Sequence, residues 1–238
     1  MDLNAWQKNW DELGKDDPLW VVLTNPAKKG GRWQPEEFFQ TGIEEINGLL
    51  AKLDSLKPAL PRSRALDFGC GVGRLTQALA GYFTEVHGVD ISPSMIGHAN
   101  RFNRQPEKCT YHVNPENHLA LFPANHFDLI YSSITLQHIE PRFAKNYIRE
   151  FVRVLKPGGV AAFQFLQPSF IRSLVPDAAA MAWRKFKFGN KPFIGMFGMK
   201  DREISRLLHE SGASTLTAIH SATEHARWTN RQYFITKP

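Results

Sequence analysis

The sequence predicts an α/β fold with a mostly parallel sheet, because short apolar runs alternate with amphipathic helical segments from Ser63 onward. Apolar runs of strand length lie at 65–68, 85–90, 109–113, 127–133 and 160–166. Helical segments separate them near 74–82, 93–103 and 141–155. This alternation is typical of βαβ units, in which a helix returns the chain to the start of the next parallel strand.

The chain before this pattern is different in character. Residues 1–62 are predicted to form an N-terminal helical segment that acts as a lid, with Trp6 and Trp10 at helical spacing and Pro35 at the first position of a helix. Residues 63–238 are predicted to form the core. We therefore expect a single domain overall.

An aromatic, methionine-containing and basic segment at 167–200 fits no regular element over its length and is interpreted as an insertion that caps an acceptor site. After it, the pattern predicts a helix near 200–211 and two paired strands at 215–222 and 228–237.

The composition is that of an ordinary globular protein, with 42% hydrophobic and 22% charged residues and a net charge of +6. No run approaches the ~20 apolar residues of a membrane span, and the first residues do not resemble a signal peptide. We expect a cytoplasmic protein with no membrane partner. No cluster of histidines and acids has ligand spacing, so no metal is predicted. The oligomeric state is left open.

A glycine-rich stretch, LDFGCGVGR at 66–74, lies where the first strand ends and a helix begins. Glycines there permit positive φ angles and a close approach of ligand to backbone, and the helix start favours an anionic group. A nucleotide-like ligand is implied. The dinucleotide fingerprint Gly-x-Gly-x-x-Gly fails because its third glycine would fall on Arg74, and no Walker Gly-Lys-Ser/Thr is present.

Four segments in order resemble the class I S-adenosylmethionine-dependent methyltransferases of the bacterial small-molecule type. They are LDFGCGVGR, VHGVDISPSMI at 86–96, FDLIYSSITLQHI at 127–139 and VLKPGG at 154–159. The resemblance implies a Rossmann-like three-layer αβα sandwich, with a seven-stranded, mostly parallel sheet whose last strand is antiparallel. It also implies S-adenosyl-L-methionine as the cofactor and methyl donor.

The resemblance gives roles at the donor site. Asp90, at the end of the second strand, is placed to accept hydrogen bonds from both ribose hydroxyls, while Ser92 is better suited than Asp90 to cap the next helix. Asp67 is expected to orient the methionine amino group. Ile91 and Met95 are expected to flank the adenine, the alternative for Met95 being ordinary helix packing. The predicted donor-binding residues are Asp67, Phe68, Gly69, Cys70, Gly71, Gly73, Arg74, Asp90, Ile91, Met95, Asn114, Pro115, Glu116 and Ser133.

The segment after the third strand departs from the family pattern. Relatives usually carry an acid and a small residue there, whereas this chain has Asn114, Pro115 and Glu116. Asn114 can still offer an amide to the adenine edge. Ser133, at the end of the fourth strand, is expected to add a backbone or hydroxyl contact.

His138, just after the fourth strand, is the candidate catalytic residue, since a neutral imidazole can take a proton from a hydroxyl or an ammonium. The alternative is a structural or substrate-positioning histidine. Aromatic residues outside the common core are the other candidates for the acceptor pocket, although they also suit packing of the extra segments onto the sheet. The predicted acceptor-site residues are Trp33, Phe38, His138, Trp183, Phe193 and Phe197.

The insertion is strongly basic. Its cations, set against the single acid Asp177, are Arg172, Arg184, Lys185, Lys187 and Lys191. This charge suits a phosphate- or carboxylate-bearing acceptor or RNA, and a solvated basic face accounts for it equally well. RNA is disfavoured, because no RNA-binding motif is present and 131–134 reads YSSI rather than a DPPY- or NPPY-like tetrapeptide.

The expected activity is methyl transfer to a hydroxyl or amine of a small-molecule acceptor. Two alternatives remain: methylation of RNA or protein, and a non-catalytic S-adenosylmethionine-binding protein. A donor-dependent product would exclude the non-catalytic protein, and a steep salt dependence of RNA affinity would favour an RNA substrate.

Overall fold

The computed structural model describes residues 3–57, 59–168, 186, 189, 192–221 and 228–238. The helices in these ranges are α1 (Leu3–Asp16), α2 (Pro18–Val22), α3 (Pro35–Leu56), α4 (Arg74–Leu79), α5 (Pro93–Phe102), α6 (Pro141–Val154) and α7 (Asp201–Glu210). The strands are β1 (Arg64–Phe68), β2 (Glu85–Asp90), β3 (Cys109–Val113), β4 (Phe127–Ser132), β5 (Leu155–Pro168), β6 (Ser214–Ser221) and β7 (Trp228–Thr236). Short 3₁₀ helices lie at Pro26–Lys28 and Leu136–His138.

All seven strands form one sheet in the order β3-β2-β1-β4-β5-β7-β6. The pairs among β1 to β5 are parallel, and β7 is antiparallel to both of its neighbours, β5 and β6. The predicted α/β fold, with a seven-stranded sheet and an antiparallel last strand, is therefore confirmed.

Strand β5 begins earlier than its sequence pattern indicates. Leu155 already pairs with Phe127, and the register then shifts before Val160 pairs with Leu129. The Pro-Gly-Gly at 157–159 lies in this irregular stretch, where a proline cannot donate to the ladder and Gly158 has a φ of +77°. The helix predicted at 141–155 therefore ends one residue earlier, at Val154. The helix predicted at 74–82 is also shorter and ends at Leu79.

Alternation along the strands divides the core between the two faces of the sheet. In β1, Leu66 and Phe68 pack into a cluster with α6 and α7, whereas Ala65 packs into a cluster with α3 and α4. The same alternation in β5 sends Ala161 and Val160 to opposite faces. Helices thus cover the sheet on both sides, which gives three layers.

The strand order reverses between β1 and β4, so their connections leave in opposite directions and open a crevice at their carboxyl ends. Helix α1 lies against α5, and α3 lies against α4. Within the ranges that the structure describes, no helix is both long enough and apolar enough to cross a membrane.

Candidate functional site

A cavity of about 860 Å³, including its open mouth, lies at the carboxyl ends of β1, β2, β3 and β4. Its lining residues are Leu3, Trp6, Trp10, Val21, Val22, Phe68, Gly69, Gly71, Val89, Asp90, Ile91, Met95, Asn114, Ser133, Ile134, Thr135, His138, Ile139 and Tyr147. The lining thus contains nine of the predicted site residues and ten residues that were not predicted to belong to the site.

The glycine loop forms one wall of this cavity. Backbone amides of Gly69 and Cys70 both donate to the carbonyl of Val89, at 2.8 and 3.0 Å, which ties the loop to the end of β2. Gly69 has a φ of +78°, and a Cβ there would lie 2.2 Å from Thr135. Gly71 has a φ of +52°, and its Cβ would lie 2.8 Å from Val22. Larger residues at either position would be strained and would close the cradle.

Asp90 links the glycine loop to the start of α5. Its Oδ2 accepts from the Gly71 amide at 2.9 Å, and its Oδ1 accepts from the Ser92 amide at 2.9 Å. Burial raises the pKa of Asp90, and these amides oppose that rise. Each carboxylate oxygen keeps a further lone pair for a ligand. Ser92 itself caps α5 by accepting from the Met95 amide at 3.2 Å, as the sequence indicated.

Four of the predicted donor-binding residues lie behind the glycine loop or beside it and do not line the cavity: Asp67, Cys70, Gly73 and Arg74. Asp67 is buried and accepts from the Thr76 hydroxyl at 2.6 Å, and burial raises its pKa to about 7. Arg74 is buried in an ion pair of 2.7 Å with Glu45 of α3. These contacts support the loop from behind.

The side-chain amide of Asn114 holds the loop that follows β3. Asn114 lines the cavity, and its Nδ2 donates to the carbonyls of Glu116 and His118 at 3.2 and 2.9 Å. With both amide hydrogens engaged, the side-chain oxygen is the atom left for a ligand. Pro115 and Glu116 do not line the cavity; the Glu116 carbonyl instead accepts a hydrogen bond from the hydroxyl of Tyr147.

Ile91 and Met95 lie on the wall between the glycine loop and α1. The Gln7 amide of α1 donates to the Ile91 carbonyl at 3.0 Å. A Cβ on Gly14 would lie 2.7 Å from the Ser94 hydroxyl, so α1 approaches α5 closely next to Met95. The turn that carries Asp90 is therefore also a docking point for α1.

His138 also lines the cavity, and its protonation state follows from its partners. Its Nδ1 lies 2.6 Å from the carbonyl oxygen of Gly195, and a carbonyl can only accept, so Nδ1 bears the proton. The side-chain amide of Gln137 is 3.2 Å from Nε2 and donates to it. Burial lowers the pKa of His138 to about 4, which keeps the imidazole neutral near pH 7.

Helix α1, part of the segment predicted to act as a lid, supplies a wall whose residues the sequence did not assign to the site. Leu3, Trp6 and Trp10 line the cavity and recur at spacings of three and four, so they occupy one helical face. The Trp10 ring lies 5.4 Å from that of His138. This apolar stripe was visible as a pattern, but nothing in the sequence showed which surface it would cover.

Ile134 also lines the cavity and was not predicted to be a site residue. It follows the cavity residue Ser133 and has a φ of +58°, which is an outlier for a β-branched side chain. Such a conformation costs of order 1–3 kcal/mol and is concentrated at functional sites. The backbone after β4 is therefore held in a strained shape where it borders the cavity.

The other predicted acceptor residues lie away from the cavity lining. Trp33 and Phe38 pack together in an apolar cluster with Val72, their rings 5.6 Å apart. Phe193 and Phe197 pack against Trp6. Trp183 lies outside the described residues, as do all the basic residues that the sequence singled out in the insertion.

The described lining is apolar on the α1 side and polar on the side of the glycine loop. Asp90 is the one acid in this lining, and no lysine or arginine belongs to it. The carboxylate, the glycine cradle and the free oxygen of Asn114 fit a ligand that combines hydroxyls, an amino group and a cationic centre. S-adenosylmethionine has these groups. In the described ranges, no group of three or more histidine, cysteine or acidic side chains could hold a metal ion.

Residues 66–163 match a family model described as a methyltransferase domain. The chain is 28% identical over 159 residues to 2-methyl-6-phytyl-1,4-hydroquinone methyltransferase of Synechocystis, which covers 66% of this chain and 48% of that protein. It is 26% identical over 185 residues to the ubiquinone biosynthesis O-methyltransferase of Thiobacillus denitrificans, covering 77% of this chain and 78% of that protein. The chain spans about half the length of the first curated relatives that it matches.

Among solved structures, the fold is similar to that of magnesium protoporphyrin IX methyltransferase from Synechocystis with bound S-adenosylhomocysteine. The two share 18% identity with a TM-score of 0.66, and the match covers 100% of both chains. This likeness establishes the fold, with the N-terminal helices included in the match.

Proposed function

We propose that this chain, whose residues 66–163 match a methyltransferase domain, is a class I S-adenosylmethionine-dependent methyltransferase that transfers a methyl group from this donor to a small apolar or aromatic acceptor. The observation that carries the proposal is a single cavity with two unlike walls. The glycine loop and Asp90 form the polar wall, and Trp6 and Trp10 form the apolar wall.

The residues of the polar wall would hold the donor. S-adenosylmethionine, when bound, supplies a methyl carbon on a sulfonium, so the protein needs mainly to align the two reactants and exclude water. Asp90 would accept hydrogen bonds from hydroxyls of the ligand, and its negative charge would attract a cation. Gly69 and Gly71 would let the ligand reach the backbone.

The acceptor would lie against the apolar wall. The described lining there is aliphatic and aromatic and offers no cation to pair with a phosphate or carboxylate, which favours an uncharged acceptor over an anionic one. Two relatives whose names include a hydroquinone and ubiquinone biosynthesis agree with this choice. An acceptor with an aromatic ring and a hydroxyl is therefore the first to test.

His138 is the group we assign to take the proton when the acceptor is a hydroxyl. Its imidazole is neutral near pH 7, and Nε2 is the nitrogen without a proton. Gln137 donates to that nitrogen over 3.2 Å, so the amide must yield as the acceptor binds. His138→Ala should then lower the turnover of a hydroxyl acceptor by about 10²-fold or more, within the usual range for general bases. Turnover close to that of the unaltered protein would leave His138 as a structural residue.

Calorimetric titration with S-adenosylmethionine, S-adenosylhomocysteine and NAD tests the donor. We expect the first two to bind and NAD not to bind; binding of NAD alone would overturn the proposal. A methylation screen with labelled donor then compares hydroquinones and phenols with carboxylate-bearing analogues and with RNA. Methylation of the uncharged ring compounds is the expected result. Donor binding without any product across the screen would favour a non-catalytic binding protein.

A further inference from the structure

Asn9 makes a contact for which neither the cavity nor the core accounts. Its side chain, 9% exposed on α1, donates through Nδ2 to the Phe193 carbonyl and accepts through Oδ1 from the Phe193 amide, both at 3.0 Å. A single side chain therefore satisfies both backbone groups of a residue 184 positions away. This is the pairing that a neighbouring strand would make.

Trp6, one turn before Asn9, reinforces the same contact. Its ring packs edge-on against Phe193 and Phe197, with centroids 6.5 and 5.9 Å apart. A Cβ on Gly195 would lie 3.0 Å from the Trp6 ring, so the indole lies directly on the Gly195 backbone. Helix α1 thus fixes the whole segment 193–197.

The same segment fixes His138. Gly195 supplies the carbonyl that accepts from Nδ1, and two residues later the Phe197 amide donates to the Gln137 carbonyl at 2.7 Å. The hydrogen bonds of Asn9 and Gln137 therefore hold the Gly195 carbonyl from either side. The Gln137 amide favours the same tautomer, but by rotating it could present its oxygen instead of its nitrogen to Nε2, whereas the Gly195 carbonyl can only accept. The fixed position of that carbonyl is therefore what keeps the proton on Nδ1.

We propose that Asn9 is a positioning residue that acts on His138 through Phe193–Phe197 and determines which imidazole nitrogen bears the proton. This deepens the proposed function, because the same tautomer leaves Nε2 as the nitrogen that can accept a proton from the acceptor. The contact joins an N-terminal helix to a histidine that follows β4, so the tautomer depends on α1 being docked.

Nitrogen-15 NMR of the full chain without any ligand tests the proposal, because protonated and unprotonated imidazole nitrogens have well-separated shifts. The signals of His138 are identified among the nine histidines by their loss in His138→Gln. The unaltered protein should show a protonated Nδ1 and a bare Nε2. In Asn9→Ala the Gly195 carbonyl is no longer held in place, so the His138 signals should move toward a mixture of the two tautomers.

The matched control is Asn4→Ala, an identical change at an exposed position of the same helix, and it should leave the His138 signals unchanged. Should Asn9→Ala fail to fold, Asn9→Asp keeps the oxygen that accepts from Phe193 but loses the amide donor, and its His138 signals should shift in the same direction. A folded variant in which His138 keeps the tautomer of the unaltered protein would overturn the proposal. Titration of the unaltered protein with S-adenosylmethionine separately tests the proposed function.

Discussion

The two walls of the cavity are built in different ways: the polar wall, which we propose holds the donor (the donor wall), and the apolar wall of α1 (the cover wall). The donor wall comes mostly from residues 68–95, and backbone hydrogen bonds such as those from Gly69 and Cys70 to Val89 give it its shape. The cover wall comes from α1, and contacts such as Asn9 with Phe193 join residues far apart in the chain. A local motif therefore specifies the first wall, while the second exists only when distant segments dock.

The largest expected effect is on the donor wall. Asp90→Ala removes a carboxylate that is placed for charge-assisted hydrogen bonds, so affinity for S-adenosylmethionine should fall by about 2–4 kcal/mol. Calorimetric titration measures the loss. Asp54→Ala, which removes an exposed carboxylate from α3, should leave the affinity unchanged. Equal affinities for the Asp90 variant and the unaltered protein would mean that the donor does not use this wall.

The next effect tests the cover wall through pH. Since burial lowers the pKa of His138 from 6.5 to about 4, the unfolded chain binds this proton more readily than the folded chain between those values. With His138 buried as the neutral imidazole, the free energy of unfolding keeps its full value above pH 6.5 and decreases as the pH falls toward 4. Between pH 7 and pH 4, the free energy of unfolding of the unaltered protein should decrease by on the order of 2–3 kcal/mol more than that of His138→Gln. Denaturant unfolding at both pH values measures this difference, and equal decreases would show that His138 is not buried by the cover.

A third prediction compares glycines inside and outside the donor wall. Gly69→Ala places a Cβ 2.2 Å from Thr135 at a φ of +78°, so the free energy of unfolding should fall by about 1–3 kcal/mol. Gly97→Ala, in α5 with open space around it, should raise that energy by up to about 1 kcal/mol. Denaturant unfolding of both variants measures the two changes in the free energy of unfolding, which should have opposite signs. A neutral Gly69→Ala would mean that the loop and Thr135 separate at little cost.

The smallest expected effect is local. Hydrogen exchange of α1 amides should be faster than that of β1 amides, because α1 docks through a few side-chain contacts while β1 lies inside the sheet. S-adenosylhomocysteine at ten times its dissociation constant should slow α1 exchange about tenfold, or about 1.4 kcal/mol, if the ligand binds only beneath the docked helix. Mass spectrometry of exchanged peptides measures it. If the ligand did not change the exchange rate of the α1 amides, the helix would be a permanently docked wall rather than a cover that opens and closes.

Much of the fold could be predicted because its signals are local. The apolar runs at 85–90 and 109–113 became β2 and β3 with the same bounds, and Pro93 and Pro141 mark the starts of α5 and α6. The start of β5 was missed because Leu155 joins the sheet by pairing with Phe127, across a bulge at Pro-Gly-Gly that reads as a turn. Pairing with β4, rather than the local sequence, therefore sets the residue at which β5 begins.

The same division applies to the site. Glycine spacing and the position of Asp90 indicated the donor wall, since both follow from where a strand ends and a helix begins. Residues 1–62 were predicted to act as a lid, but the residues of α1 that line the cavity could not be predicted, because an apolar helical face does not indicate the surface that it will cover. Trp33 and Phe38 are buried against each other rather than in the cavity lining, and the reason is the same.

By itself, the sequence determined the α/β architecture and the glycine cradle, because both follow from periodicity and spacing within about thirty residues. The choice of donor came from the resemblance of four motifs to class I methyltransferases. Only the tertiary structure decided how the cavity is closed and which nitrogen of His138 bears the proton. Those features depend on where the Gly195 carbonyl and the Trp10 ring lie relative to His138. Such distances arise from packing between segments far apart in the chain, and no local pattern encodes them.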